Sequence, residues 1–172
     1  MEKKPCSNSR TIKTAQILPP DANAYGTLFG GKLMAHIDDV AAIAAVRHAR
    51  KSVVTASTDS VDFLQPVKVG DSICLEAFVT SVHNTSMEVF VKVVTEGLLT
   101  GEKTVCATAF LTFVALGENG KPDVVPRIYP ETEIEKMLFD GAELRRERRN
   151  ERRKESQRMA KIFGIESIEG GK

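Results

Sequence analysis

The feature that most constrains this chain is a helix-forming stretch, Lys32 to Ala49, that is apolar almost all the way round. It contains no proline or glycine, and Leu33, Met34, Ile37, Val40, Ala41, Ala44 and Ala45 recur at spacings of three and four. The opposite face, from Ala42 to Val46, is also mostly small or apolar. Such a helix is normally enclosed by other elements, and its alanines let a sheet approach closely. The longest apolar run, Val40 to Val46, is far short of the ~20 residues that span a bilayer.

What encloses the helix follows from the strand-like segments around it. Residues 11–17 (TIKTAQI) alternate and are β-branched, which predicts a first strand, stopped by Pro19-Pro20-Asp21. After the helix come 53–63, 72–82, 86–96 and 104–116, separated by Pro66 to Asp71, His83-Asn84-Thr85 and Gly97 to Gly101. The pattern is strand, buried helix, then four consecutive antiparallel strands, an α+β architecture with a curved sheet wrapped round one long helix. The first and last strands are then expected to be edges that pair with another subunit.

The domain assignment is 8–130 for this fold and 131–172 for a charged helical extension. Between Gly141 and Lys161 there are nine Lys/Arg and four Glu, a local balance of +5. Glu143, Glu147, Glu151 and Glu155 stack at intervals of four, which reads as a solvated helix laced with ion pairs, fraying from Gly164 onwards. The whole chain of 172 residues carries only +1, so no global basic field points to nucleic acid. Cys6, Cys74 and Cys106 are odd in number and share no metal-ligand spacing, and are expected to be reduced, buried thiols. Met1 to Arg10 has no apolar signal-peptide region, and the expected location is the cytoplasm, with no membrane partner.

Chemistry concentrates between Asn23 and Asp39. The loop ANAYGTLFGG has Gly26, Gly30 and Gly31 among its last six residues and leads into the helix. Gly30 and Gly31 let a ligand approach the backbone, and helix-start amides attract developing negative charge, as an oxyanion hole does. Asn23 is placed to orient water or polarise a carbonyl. Asp38 and Asp39 are out of character in an apolar helix. Each is open to two readings, a structural ion pair or a general base or nucleophile. His36 and His48 read as packed residues. No metal-ligand motif, G-x-S-x-G elbow or P-loop is present.

The segments NAYGTLFGGKLMAHID, VVTASTDSVDFLQPVKVGD, NTSMEV and ATAFLTFVAL, in that order, closely resemble the acyl-CoA thioesterases of the bacterial YciA/YkhA type. The chain is also similar to the animal cytosolic acyl-CoA hydrolases. The resemblance spans about residues 8 to 130 and implies a hotdog fold, in which two protomers form one continuous sheet and the dimers assemble further, as a trimer of dimers. It implies that the catalytic aspartate is Asp38, that the asparagine is Asn23, and that the two meet in one site from opposite subunits. It further implies coenzyme A contacts at Ala56, Ser57 and Thr58, at Thr85, Ser86 and Met87, and through a basic residue near Arg145 and Arg146 for the CoA phosphates.

The expected reaction is hydrolysis of acyl-CoA to free CoA and a fatty acid, with no cofactor beyond the CoA of the substrate. Two other readings compete. One is a non-enzymatic acyl-CoA sensor whose arginine-rich helix binds nucleic acid or a protein; no helix-turn-helix precedes the domain. The other is a dehydratase on hydroxyacyl thioesters, which wants a histidine paired with a carboxylate near the helix start; His36 is on the helix itself, and the loop before it has none.

Overall fold

A computed structural model describes residues 2–164; the fraying expected past Gly164 lies outside them. The chain forms two compact units, Met1–Phe139 and Asp140–Lys172. In the first, the elements run β1 (Lys3–Pro5), β2 (Thr11–Gln16), α1 (Gly30–Ala49), β3 (Ser52–Phe63), β4 (Ser72–Val82), β5 (Ser86–Glu96), β6 (Lys103–Leu116), β7 (Arg127–Tyr129) and α2 (Glu133–Asp140).

The five long strands form one antiparallel sheet in the order β2-β4-β5-β6-β3. Side chains alternate across it. Ile73, Leu75, Ala77 and Val79 of β4 and Met87, Val89, Val91 and Val93 of β5 are fully buried in the core shared with α1. Ala41, Ala44 and Ala45, all at 0% exposure, are the small residues that let helix and sheet approach closely. Truncating one large core side chain such as Ile37 to alanine costs about 2–5 kcal/mol at such sites.

Two expectations about the enclosure are corrected. The first strand is an edge, but the last long strand, β6, is interior, and the second edge is β3. The cause is the helix itself: α1 carries the chain from the β2 edge across the sheet to the opposite edge, where β3 waits for β6. The helix is also not enclosed all round. Met34, Ile43 and Val46 are more than 40% exposed, so its second apolar face lacks a cover among the described residues.

The helix starts at Gly30, two residues earlier than the sequence predicts, and ends at Arg50 in the left-handed region (φ 54°), whose amide bonds to Val46 O at 2.8 Å. β1 and β7, three residues each, pair in parallel and join the two ends of this unit, a feature without a sequence signal. α2 opens on a reciprocal cap: Glu135 Oε2 accepts the amides of Glu131 and Thr132, and the Glu135 amide donates to Thr132 Oγ1. Of the thiols, Cys6 and Cys106 are buried as expected, but Cys74 is only half-buried, being on the outer face of β4. Burial, with the charge of Glu135 adding to it, pushes the Cys6 thiol up to about 12.

In the second unit, α3 (Ala142–Phe163) is a largely exposed helix, with ion pairs such as Arg146–Glu143 at 2.9 Å and Arg158–Glu155 at 2.8 Å.

Candidate active site

The loop that leads into α1 is built on Asn23. Its Oδ1 accepts the Tyr25 amide at 2.9 Å, its Nδ2 donates to Thr27 Oγ1 at 2.9 Å, and its own amide bonds to Thr27 O at 2.8 Å. Closing this loop requires φ +73° at Gly26, a conformation natural only to glycine. The Leu28 amide then ties the loop to Val67 O, and the Phe29 amide ties it to Asp21 O, both at 2.8 Å.

Helix hydrogen bonding begins with the amides of Lys32 and Leu33, which both donate to Phe29 O, at 2.9 and 3.2 Å, and no side chain caps the end. The amides of Gly30 and Gly31 therefore precede the first intrahelical bond and carry the positive end of the helix dipole. The ring of Phe29 folds back over Gly31, where a Cβ would lie 2.7 Å from Phe29 Cε1. The glycine at 31 thus keeps the helix start narrow and its amides bare.

The two aspartates, neighbours in sequence, have different surroundings. Asp39 is exposed and pairs with Lys13 Nζ at 2.5 Å; this hydrogen bond, and then the lysine's charge, hold its carboxyl below the usual range. Asp38 is half-buried on the side facing β3, where Thr55 Oγ1 donates to its Oδ1 at 2.9 Å. Thr55 heads the TAST run and was not among the sequence-derived candidates. Its importance comes from strand register opposite the helix, which no local pattern encodes.

Asp38 belongs to a ridge of residues spaced by four: Met34, Asp38, Ala42 and Val46. It is the one charged position on an otherwise apolar stripe. Along the helix axis it lies roughly 12 Å from Gly30, at 1.5 Å per residue. One chain therefore does not bring this carboxylate against its own helix-start amides.

His36 is half-buried, and burial, then the charge of Lys13, lowers its pKa. His48 is wholly buried and its Nε2 bonds to Pro126 O at 2.9 Å, the packed role expected of it. Among the described residues no group of three or more His, Cys, Asp or Glu is arranged to hold a metal ion.

The predicted CoA positions fall at one end of the sheet. Along β3 the ladder to β6 skips Ala56 and then Asp59, so Ala56 bulges out with its backbone unpaired to β6. Ser57 Oγ is held by Asp59 Oδ1 at 2.5 Å, and Thr58 is exposed. Ser86 and Met87 lie across β6 from this segment, because Val114 pairs with both Val54 and Ser86, and Phe113 with both Thr55 and Met87. The Met87 side chain is in the core, whereas Thr85 and Ser86 are half-exposed. Arg145 and Arg146 are on α3 in the second unit.

Comparison with known proteins gives this geometry a context. A family profile described as the thioesterase superfamily matches residues 25–102. The chain is 54% identical, over 94% of both chains, to a protein of Bacillus subtilis described as an uncharacterized acyl-CoA thioester hydrolase, YkhA. A Staphylococcus aureus acyl-CoA hydrolase, solved with butyryl coenzyme A, coenzyme A and coenzyme A disulfide, superposes with a TM-score of 0.90 at 45% identity, covering 94% of this chain and 98% of that one. That enzyme has also been solved with an aspartate, an asparagine and a threonine each replaced by alanine. The asparagine precedes the aspartate by fifteen residues, and the threonine follows it by seventeen. An apo-hexameric acyl-CoA thioesterase superposes with a TM-score of 0.86 at 51% identity, covering 88% of this chain and 97% of its own.

Proposed function

The chain belongs to the thioesterase superfamily, and from that premise we propose that Asp38, steadied by Thr55, is the general base that drives water onto the thioester carbon. The reaction is hydrolysis of acyl-CoA to free CoA and a carboxylic acid. The observation that carries the assignment of the base is the Thr55–Asp38 hydrogen bond, which holds one carboxylate oxygen and leaves Oδ2 for water. Sequence spacing supports it independently. Asn23, Asp38 and Thr55 are separated by the same fifteen and seventeen residues as the three positions altered in the Staphylococcus aureus enzyme.

Water bonds to the carbonyl carbon as its proton passes to Asp38. The carbonyl oxygen takes the negative charge and rests on the Gly30 and Gly31 amides, where a single such donor is worth about 3–4 kcal/mol. Collapse breaks the carbon–sulfur bond, and the proton on Asp38 goes to the departing CoA sulfur. The Asn23 amide assists at the carbonyl.

The base and the amides belong to different protomers of a homodimer, and the dimers assemble as a trimer of dimers. Their separation of about 12 Å within one chain and the bare stripe around Asp38 support this reading, as does the hexameric relative. The pantetheine arm runs past bulged Ala56 with Ser57 and Thr58, and past Thr85, Ser86 and Met87. Arg145 and Arg146 meet the CoA phosphates. No separate cofactor is needed, and the enzyme works in the cytoplasm; among the described residues no helix is long and apolar enough to cross a membrane.

Free-thiol release from acyl-CoAs tests the proposal. Asp38→Ala is expected to abolish turnover while CoA still binds, and unchanged turnover would refute the assignment. A single turnover in ¹⁸O-water separates the two routes open to Asp38. The general-base route labels the first acid released; attack by the carboxylate itself, with water then opening the anhydride at Asp38, leaves that acid unlabelled.

A further inference from the structure

Beside Gly30 lies a cavity of about 360 Å³ that the catalytic assignment leaves unused. Its floor is Leu28, Leu33 and Val67, each under 10% exposed, and its rim is Phe63 and Leu64, both about half exposed. We propose that this cavity takes the acyl chain, that it suits short- to medium-chain acyl groups, and that Phe63 sets the length limit. The inference rests on the hydrolase reading above, because it takes the Gly30 amide as the resting place of the carbonyl oxygen.

The argument is one of position and lining. A thioester carbonyl at the Gly30 amide sends the carbons that follow it into whatever adjoins Gly30. What adjoins it is the Phe63 ring, 3.6 Å from where a Cβ on Gly30 would lie. No charged side chain lines the cavity, and its walls are mostly hydrocarbon. The pantetheine arm, with its two amides, has no comparable set of hydroxyls there, whereas Ser57, Thr58, Thr85 and Ser86 offer them elsewhere. The rim is also held in place before any ligand arrives: the Leu64 amide bonds to Cys106 O at 2.8 Å, and the Gln65 amide bonds to the same oxygen at 3.3 Å. The volume is near the lower end of ligand pockets, roughly 300–1,000 Å³, which favours the shorter acyl classes.

The test is kcat/KM across acyl-CoAs from acetyl to palmitoyl for the full chain and two variants. Phe63→Ala is expected to raise the palmitoyl-to-butyryl ratio at least about tenfold, the scale on which a few methylenes are discriminated. Phe63→Trp is expected to lower the octanoyl-to-acetyl ratio. Ratios that stay flat in both variants, or a loss equal at every chain length, overturn the proposal; an equal loss accompanied by weaker product inhibition by CoA assigns the cavity to pantetheine. If the unaltered chain releases no thiol from any acyl-CoA, the hydrolase reading is what fails. The cavity is then judged by calorimetry with non-hydrolysable CoA thioethers, whose affinity must rise with chain length in Phe63→Ala for the proposal to stand.

Discussion

The Thr55 hydroxyl donates to Oδ1 of Asp38 across 2.9 Å, joining the middle of the central helix to the sheet's edge strand. A carboxylate held at one oxygen presents the other in a fixed direction, and a general base contributes about 10²–10⁴-fold only when so aimed. Thr55→Ala is expected to lower kcat on the order of 10- to 100-fold with a smaller effect on KM, and Thr55→Ser to restore most of the loss. Equal effects in the alanine and serine variants would point to packing instead of the hydroxyl.

A shared site makes its own prediction. In a mixed dimer of Asp38→Ala and Asn23→Ala chains, one site has both residues intact and the other has lost both. Co-expressed variants are therefore expected to regain thiol release that neither has alone. If Asn23 and Asp38 of one chain serve the same site, every mixed site stays broken and no activity returns.

The bare apolar ridge on α1 predicts dependence on assembly. Val46, 42% exposed in the single chain, is expected to become an interface position in the proposed oligomer. Val46→Glu places an unpaired carboxylate there and is expected to reduce the mass in light scattering towards the 18.8 kDa protomer, with turnover lost in parallel. An intact, fully active oligomer in this variant would show that the ridge faces solvent.

His48 predicts how stability responds to acid. Burial lowers its folded-state pKa below 6.5, against the opposing pull of its bond to Pro126 O, and its buried Nδ1 has no partner among the described residues. Between the folded and unfolded pKa values the unfolded chain binds more protons, so the sign is fixed: stability rises with pH in that window. This contribution is whole above about pH 6.5 and is lost as pH falls below it. The melting temperature should drop from pH 7 to pH 5, and His48→Gln should flatten the slope. A remnant is expected from His36, which shifts in the same direction. An unaltered slope in His48→Gln would assign the acid sensitivity elsewhere.

Much of the sheet is legible in the sequence because its signals are local. Strands 72–82 and 86–96 are read to the residue, since clean alternation and the His83-Asn84-Thr85 turn bound them. The helix is read two residues short because Gly30 and Gly31 look like loop, yet a first turn needs no intrahelical amide bond and accepts them. The edge at β3 is not legible, because pairing β3 with β6 depends on where a crossing helix delivers the chain. β1 and β7 are three residues long and their paired residues are 124 positions apart, as Lys3 and Arg127 are, below any periodic signal. Asp38 and Asp39 are equivalent as letters; Lys13 and Thr55, from two different strands, make them unlike.

The separation of β3 from β6 also orders events during synthesis. β3 emerges directly after the helix, but its only strand partner among the described residues, 103–116, is made some forty residues later. Until then the strand stands open on both sides, the state in which nascent chains stick to one another. Its sequence suits the wait. Ser52, Thr55, Ser57, Thr58, Asp59, Ser60 and Asp62 intersperse the few apolar positions and act as gatekeepers against premature pairing. The hydroxyl that later steadies Asp38 thus begins as part of what keeps an orphan strand dissolved while the ribosome finishes the sheet.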